Sequence, residues 1–215
     1  MKILFDCDGT LLDSMHAWVD NIKTLMKKYD FIPTEEQQEI IEALGFEEVS
    51  EYFAETFAHD MTKDDIIHYL KDKLEEAYSQ KVLPKKGVKN KLEELYNRGF
   101  EMAIASSTDK KYLEMAFERL GFIKYFQFII TPDTTGLRKN ELEYWNKACE
   151  MFDANPDQIA LFDDKIYAIR VANKLGITTI GVDDIPYNID DIDFLKKEAN
   201  YYVKLISMFD FDKLK

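Results

Sequence analysis

Two carboxylates lie two residues apart near the start of the chain, in Lys2-Ile3-Leu4-Phe5-Asp6-Cys7-Asp8-Gly9-Thr10-Leu11-Leu12-Asp13. The apolar run Ile3 to Phe5 reads as a buried strand that stops at Asp6. Acids this close repel one another, and a low-dielectric site raises the cost. A hard divalent cation with oxygen ligands is the usual compensation. The residue types also suit covalent chemistry, since a carboxylate can act as nucleophile and an acid two residues on can carry a proton. Gly9 allows a tight turn that a residue with a Cβ would resist. The same letters also fit an ordinary Asp-Gly turn at a strand end. A second acidic pair, Asp163-Asp164, follows the apolar stretch Gln158 to Phe162. It is the same costly device, or else a surface turn.

The elements around these acids alternate. Ser14 can cap a helix running to about Tyr29. Pro33-Thr34-Glu35-Glu36-Gln37 opens a second helix, with Thr34 and Gln37 spaced for a capping box, and Ile40, Ile41 and Leu44 continue it to Gly45. Third and fourth helices are predicted over Glu47–Phe57 and Thr62–Lys81, and no strand pattern interrupts Ser14 to Lys81. Past Leu83-Pro84, helices are expected over 86–97, 109–120, 141–152 and 166–175. Strands are expected over 100–105, 126–130, 158–162 and 177–182, with a last one near Ala199–Val203 and a helical turn over 205–214. Asp183-Asp184 and Asp190-Asp191 read as solvated loops or a helix start. The alternation predicts an α/β fold, a doubly wound and mostly parallel sheet covered on both faces. Residues 1–13 and 84–215 would form that core, and 14–83 an inserted all-helical domain. Ligands of such sheets bind beyond the carboxyl ends of the strands, where Asp6, Asp8, Ser106 and Asp163-Asp164 fall.

Asp-Cys-Asp-Gly-Thr-Leu-Leu-Asp-Ser resembles the first signature of the haloacid dehalogenase-like (HAD) hydrolases. Met-Ala-Ile-Ala-Ser-Ser resembles the second, with Ser106 at the matching position. Asp163-Asp164, followed by Ala-Asn-Lys-Leu-Gly-Ile, resembles the fourth in its adjacent-acid form. The third is a lysine, and Lys139 in Gly136-Leu137-Arg138-Lys139-Asn140 is the candidate, with Arg138 or Lys110 as substitutes. Relatives usually carry Lys-Pro-x-Pro there, whereas this chain has Lys-Asn-Glu-Leu. The resemblance implies a Rossmann-like core with a C1-type helical cap. It implies that Asp6 attacks a phosphoryl group and forms an aspartyl-phosphate, while Asp8 protonates the leaving group and then serves as base for water. Ser106 and Lys139 would hold the phosphate. Mg²⁺ would bind Asp6, the backbone carbonyl of Asp8, Asp164 directly, and Asp163 directly or behind it. Met15 and His16 lie at the hinge of the cap, placed to touch the substrate.

The rest of the composition narrows the class. The chain has 215 residues, a formal net charge of −13 and 32% charged residues, which argues against nucleic-acid binding and against attraction to anionic membranes. Its two cysteines, Cys7 and Cys149, suggest no disulfide framework and fit a reducing cytoplasm. No signal peptide and no run of about twenty apolar residues is visible. The expected partner is a small phosphorylated metabolite. Dehalogenation shares the fold and the nucleophile but lacks the acid at Asp8. A mutase resembling β-phosphoglucomutase places a histidine further along the first cap segment, whereas His16 stands three residues after Asp13. A non-catalytic regulator binding a partner through its cap would have no physical need for costly buried acids.

Overall fold

The computed structural model describes residues 1–43 and 46–214. The expected end of the second helix at Leu44 and Gly45 lies outside the described residues. Contacts divide the chain into two compact units, Met1–Met15 with Val82–Lys215, and His16–Lys81. No helix among the described residues is long and apolar enough to cross a membrane.

The inserted unit is built from helices α1 (Met15–Lys28), α2 (Glu35–Ala43), α3 (Phe46–Thr56) and α4 (Lys63–Glu76). Its core gathers one apolar stripe from each: Leu25 and Met26, Ile41, Val49 and Phe53, Ile66 and Leu70. The capping box forms at α2. Thr34 N–H donates to Gln37 Oε1 at 3.0 Å, and Gln37 N–H to Thr34 Oγ1 at 3.3 Å. Thr62 and Asp65 form the equivalent box at α4. The fourth helix ends earlier than the sequence suggests, since Ala77–Lys81 widens into a π-helical turn. No strand occurs among the described residues of this unit.

The other unit holds strands β1 (Lys2–Phe5), β2 (Leu12–Asp13), β3 (Leu83–Pro84), β4 (Met102–Ala105), β5 (Ile129–Ile130), β6 (Ile159–Asp163), β7 (Thr178–Val182) and β8 (Tyr201–Val203). Helices α5 (Val88–Asn97), α6 (Lys110–Leu120), α7 (Pro132–Thr135), α8 (Leu142–Phe152), α9 (Ile166–Leu175) and α10 (Ile192–Glu198) alternate with them. Six strands form one sheet in the order β5-β4-β1-β6-β7-β8, and its strand pairs are parallel. Helices on both faces require strands apolar on both faces, which is why β1, β4 and β6 read as unbroken apolar runs. Alternate residues then go to opposite layers. Leu4, Ala103, Ala105 and Leu161 pack with Tyr144, Trp145, Ala148 and Phe152. Phe5 stacks on Phe162 at 5.1 Å, and Phe162 on Phe211 at 5.2 Å.

The chain starts in the middle of the sheet, builds outward through β4 and β5, and then returns to add β6, β7 and β8 on the other side. That reversal opens a crevice at the carboxyl ends of β1 and its two neighbours. Beside it, β2 and β3 form a short antiparallel ladder, Leu12 opposite Pro84 and Asp13 opposite Leu83.

Candidate active site

Strand register assembles the site. Phe5 is level with Ile104 on one side and Phe162 on the other, so the strand ends bring Asp6, Ser106 and Asp163 together. Asp6 N–H donates to Phe162 O at 2.8 Å. The chain then turns sharply, with Cys7 O accepting the N–H groups of Leu11 and Leu12 at 2.8 Å each. Gly9 sits at φ +81°, and a Cβ there would stand 2.6 Å from Asp184 Oδ2 and 2.9 Å from Asp164 Oδ2. Both the backbone angle and the crowding therefore demand glycine.

Lys139 is buried, with 2% of its surface exposed. Its ammonium lies 2.7 Å from Asp6 Oδ1 and 2.5 Å from Asp163 Oδ2. Burial alone would lower its pKa, but the carboxylates of Asp163 and Asp6 outweigh burial and raise it. The lysine is thus a fixed cation. Trp145 Nε1 donates to Lys139 O at 2.8 Å and anchors the turn that carries it. The two substitutes lie elsewhere: Arg138 is exposed, and Lys110 pairs with Glu114 at 3.4 Å on α6.

Asp163 closes β6, and both its oxygens are engaged, Oδ1 accepting Lys165 N–H at 2.9 Å and Oδ2 facing Lys139. Asp164 has Lys165 Nζ at 2.9 Å from Oδ2, while its Oδ1 is buried and accepts no hydrogen bond. Burial raises the pKa of Asp164 and of Asp163 against the pull of Lys165 and Lys139 respectively. Asp6 Oδ2 is likewise buried and accepts no hydrogen bond. One carboxylate oxygen from each of Asp6, Asp163 and Asp164 falls within 4.8 Å of the others. Buried carboxylate oxygens with lone pairs to spare form a donor set that fits a hard divalent cation.

Asp8 is gripped from an unexpected side. Ser14 Oγ, expected as a helix cap, donates to Asp8 Oδ1. Ser106 Oγ accepts Thr108 N–H at 3.1 Å, which leaves its own hydrogen to donate elsewhere. The Ser106 backbone is committed, its N–H to Ile130 O at 3.1 Å and its carbonyl to Tyr144 Oη at 3.2 Å. Met15 and His16 begin α1 and are half-buried. Cys7, between the two acids, is fully buried, and burial together with Asp8 and Asp6 pushes its thiol pKa well up.

Three contributors escaped the sequence reading. Asp184, expected on a solvated loop, is 5% exposed and pairs with Lys85 at 2.7 Å. Asn188 Nδ2 donates to Asp164 O at 3.1 Å and Val182 O at 3.0 Å, while its Oδ1 accepts Asp184 N–H at 2.9 Å. One buried amide therefore clamps the loops after β6 and β7. A signal for Asp184 was present, since it follows the apolar run of β7 at the same end of the sheet as the other acids.

A parallel sheet with clustered acids and a captive lysine at its carboxyl edge is the architecture of a HAD-type hydrolase, with a helical cap inserted after the first acids. The family model described as haloacid dehalogenase-like hydrolase matches residues 3–182, and the chain belongs to that family. It is 28% identical over 207 residues to pyrophosphatase PpaX of Oceanobacillus iheyensis, covering 94% of this chain and 90% of that one. It is 23% identical over 181 residues to the phosphorylated carbohydrates phosphatase of Thermotoga maritima, covering 83% and 82%. Among solved structures, a HAD hydrolase of family IA, variant 3, from Entamoeba histolytica aligns with a TM-score of 0.78 at 18% identity, over 99% of this chain and 96% of that one. That last likeness is one of fold.

Proposed function

We propose that the chain is a Mg²⁺-dependent phosphatase that hydrolyses small phosphorylated metabolites through an aspartyl-phosphate on Asp6. The observation that carries this reading is the state of Asp6. One oxygen is tethered to Lys139 at 2.7 Å, and the other is buried with no hydrogen bond. A carboxylate so held is oriented and has one oxygen ready for phosphorus. The relatives named as a pyrophosphatase and a phosphorylated carbohydrates phosphatase support the substrate class.

Asp6, Asp164 and the Asp8 backbone carbonyl would hold Mg²⁺, with Asp163 close behind because its oxygens already serve Lys139 and Lys165. The bound ion would supply positive charge against the phosphoryl oxygens. In the first step Asp6 attacks phosphorus, the bond from phosphorus to the leaving oxygen breaks, and Asp8 gives that oxygen its proton. In the second step water attacks phosphorus, Asp8 takes the water proton, and the bond to Asp6 breaks to release inorganic phosphate. The Lys139 ammonium and the Ser106 hydroxyl would bind phosphoryl oxygens throughout, in place before charge develops. In this reading residues 1–13 and 84–215 are the catalytic domain, and 14–83 the cap that selects the leaving group.

The test is a panel of phosphorylated metabolites assayed for phosphate release with and without Mg²⁺. Mg²⁺-dependent release from at least one small ester is expected. No release from any member, while the protein is folded, would count against the reading. Asp164→Ala should raise the Mg²⁺ concentration needed for half-activity by about tenfold or more. It should also shrink the rise in melting temperature that Mg²⁺ gives the wild type. An unchanged Mg²⁺ titration would remove Asp164 from the ligand set.

Met15→Ala and His16→Ala test the cap. Each should shift relative kcat/KM among natural phosphates by about 1–3 kcal/mol of discrimination. Hydrolysis of p-nitrophenyl phosphate should change less, because its leaving group offers little to recognise. Equal loss on both substrate types would assign these residues to folding or closure.

A further inference from the structure

We propose that Lys85 is a positioning residue for the proton transfers assigned to Asp8, an inference that rests on the phosphatase reading above. Lys85 stands just after β3 and grips the acidic loop twice. Its backbone N–H donates to Leu11 O at 2.9 Å. Its ammonium donates to Gly9 O at 2.6 Å, to Asp183 O at 2.8 Å and to Asp184 Oδ1 at 2.7 Å. All three ammonium hydrogens are thereby used. The side chain is 14% exposed, and that of Asp184 is 5% exposed.

The geometry leaves the loop little freedom. Gly9 follows Asp8 directly, so one planar peptide joins the Asp8 Cα to the Gly9 Cα, and the Gly9 carbonyl begins the next plane. Lys85 holds that carbonyl, while Asp184 Oδ2 and Asp164 Oδ2 fill the space that a Cβ on Gly9 would take. Ser14 steadies the Asp8 carboxyl itself. Lys85 supplies the corresponding hold on the backbone, and the β2–β3 ladder fixes where Lys85 stands, since Leu12 pairs with Pro84. A general acid must lie within hydrogen-bond reach of the leaving oxygen, so a loop released at Gly9 would misplace Asp8 without touching Asp6.

This role separates substrates in a way that a plain structural ion pair does not. Phenyl phosphate has a poor leaving group and needs protonation by Asp8, whereas p-nitrophenyl phosphate hardly does. The quantity kcat/KM reports steps only through formation of the phosphoenzyme, so the later water attack does not obscure it. Lys85→Met should lower kcat/KM for phenyl phosphate by about tenfold or more, against about threefold or less for p-nitrophenyl phosphate, a fraction of the full worth of a general acid. With p-nitrophenyl phosphate it should also show a burst of about one p-nitrophenolate per active site, because the water attack that Asp8 assists now lags. Lys85→Arg, which keeps charge and donors, should recover part of the loss on phenyl phosphate.

The ratio of the two kcat/KM values is taken within one preparation, so a smaller folded fraction lowers both and leaves it unchanged. Should Lys85→Met fail to fold, Lys85→Gln reads out the same ratio. Equal losses on both substrates, or no loss on phenyl phosphate, would overturn the role of Lys85 and leave the phosphatase reading standing. A wild type that hydrolyses neither ester would instead overturn both.

Discussion

Asp6→Asn is expected to lower phosphatase turnover by about four orders of magnitude or more, the scale seen when a covalent nucleophile is removed. The amide is nearly isosteric with the carboxylate but a poor nucleophile. The fold should survive. The asparagine carbonyl can still accept from Lys139, and Asp163 remains 2.5 Å from that ammonium as its counter-charge. The stability change should therefore stay within about 1 kcal/mol. Phosphate release, a denaturant melt and acid-quenched mass spectrometry check the three parts. The wild type should yield a hydroxylamine-sensitive phosphoenzyme, and the variant none. Residual activity of more than a few per cent would sink the covalent mechanism.

Lys139→Met has the largest expected effect on stability. The lysine is fully enclosed and faces two carboxylates. Its loss leaves Asp6 and Asp163 buried, close and without that cation, and breaking a buried pair from one side costs about 3–5 kcal/mol. That is a large share of the roughly 5–15 kcal/mol that holds a domain together. Activity should disappear as well if Lys139 binds the phosphoryl oxygens as proposed. The double variant Lys139→Met with Asp163→Asn should recover much of the stability and none of the activity. A single variant that melts like the wild type would show that the charges at this site are balanced by other means.

Asp6 and Asp163 were legible because each stands at the end of an apolar strand, and parallel strands must be apolar to be buried; Asp8 and Asp164 were legible as their near neighbours, whereas Asp184 was not. Lys139 could be preferred to Arg138 and Lys110 only through the family resemblance, since a lysine in a turn carries no local mark of burial. Its selection depends on the turn that Trp145 anchors across the helix start. Ser14 followed local logic in the sequence as a cap. Asp8, six residues earlier, takes its hydroxyl because the loop folds back. Lys85 and Asp184 are 99 residues apart, and nothing in either neighbourhood announces the other. The short helix α7 was missed although Thr131-Pro132 is a fair start signal, with proline in the first turn and a Thr131–Thr134 capping box. The strand expected over 126–130 is reduced to Ile129–Ile130, because Ile123–Tyr125 winds into a 3₁₀ turn that takes Phe126 N–H to Ile123 O at 3.3 Å.

The two-residue ladder between β2 and β3 has a consequence for how this chain can vary. It joins the point where the backbone leaves the sheet domain to the point where it returns. Closing a loop costs entropy that grows only slowly with its length, and here the two ends are already held one rung apart by Leu12–Pro84 and Asp13–Leu83. The sheet therefore senses the insertion mainly as a closed loop of fixed span, whatever its size. Helices can be lengthened, exchanged or resequenced between those rungs without shifting the register of β1 against β4 and β6. The ladder works as a socket, and the insertion can change while the acids at the strand ends keep their places.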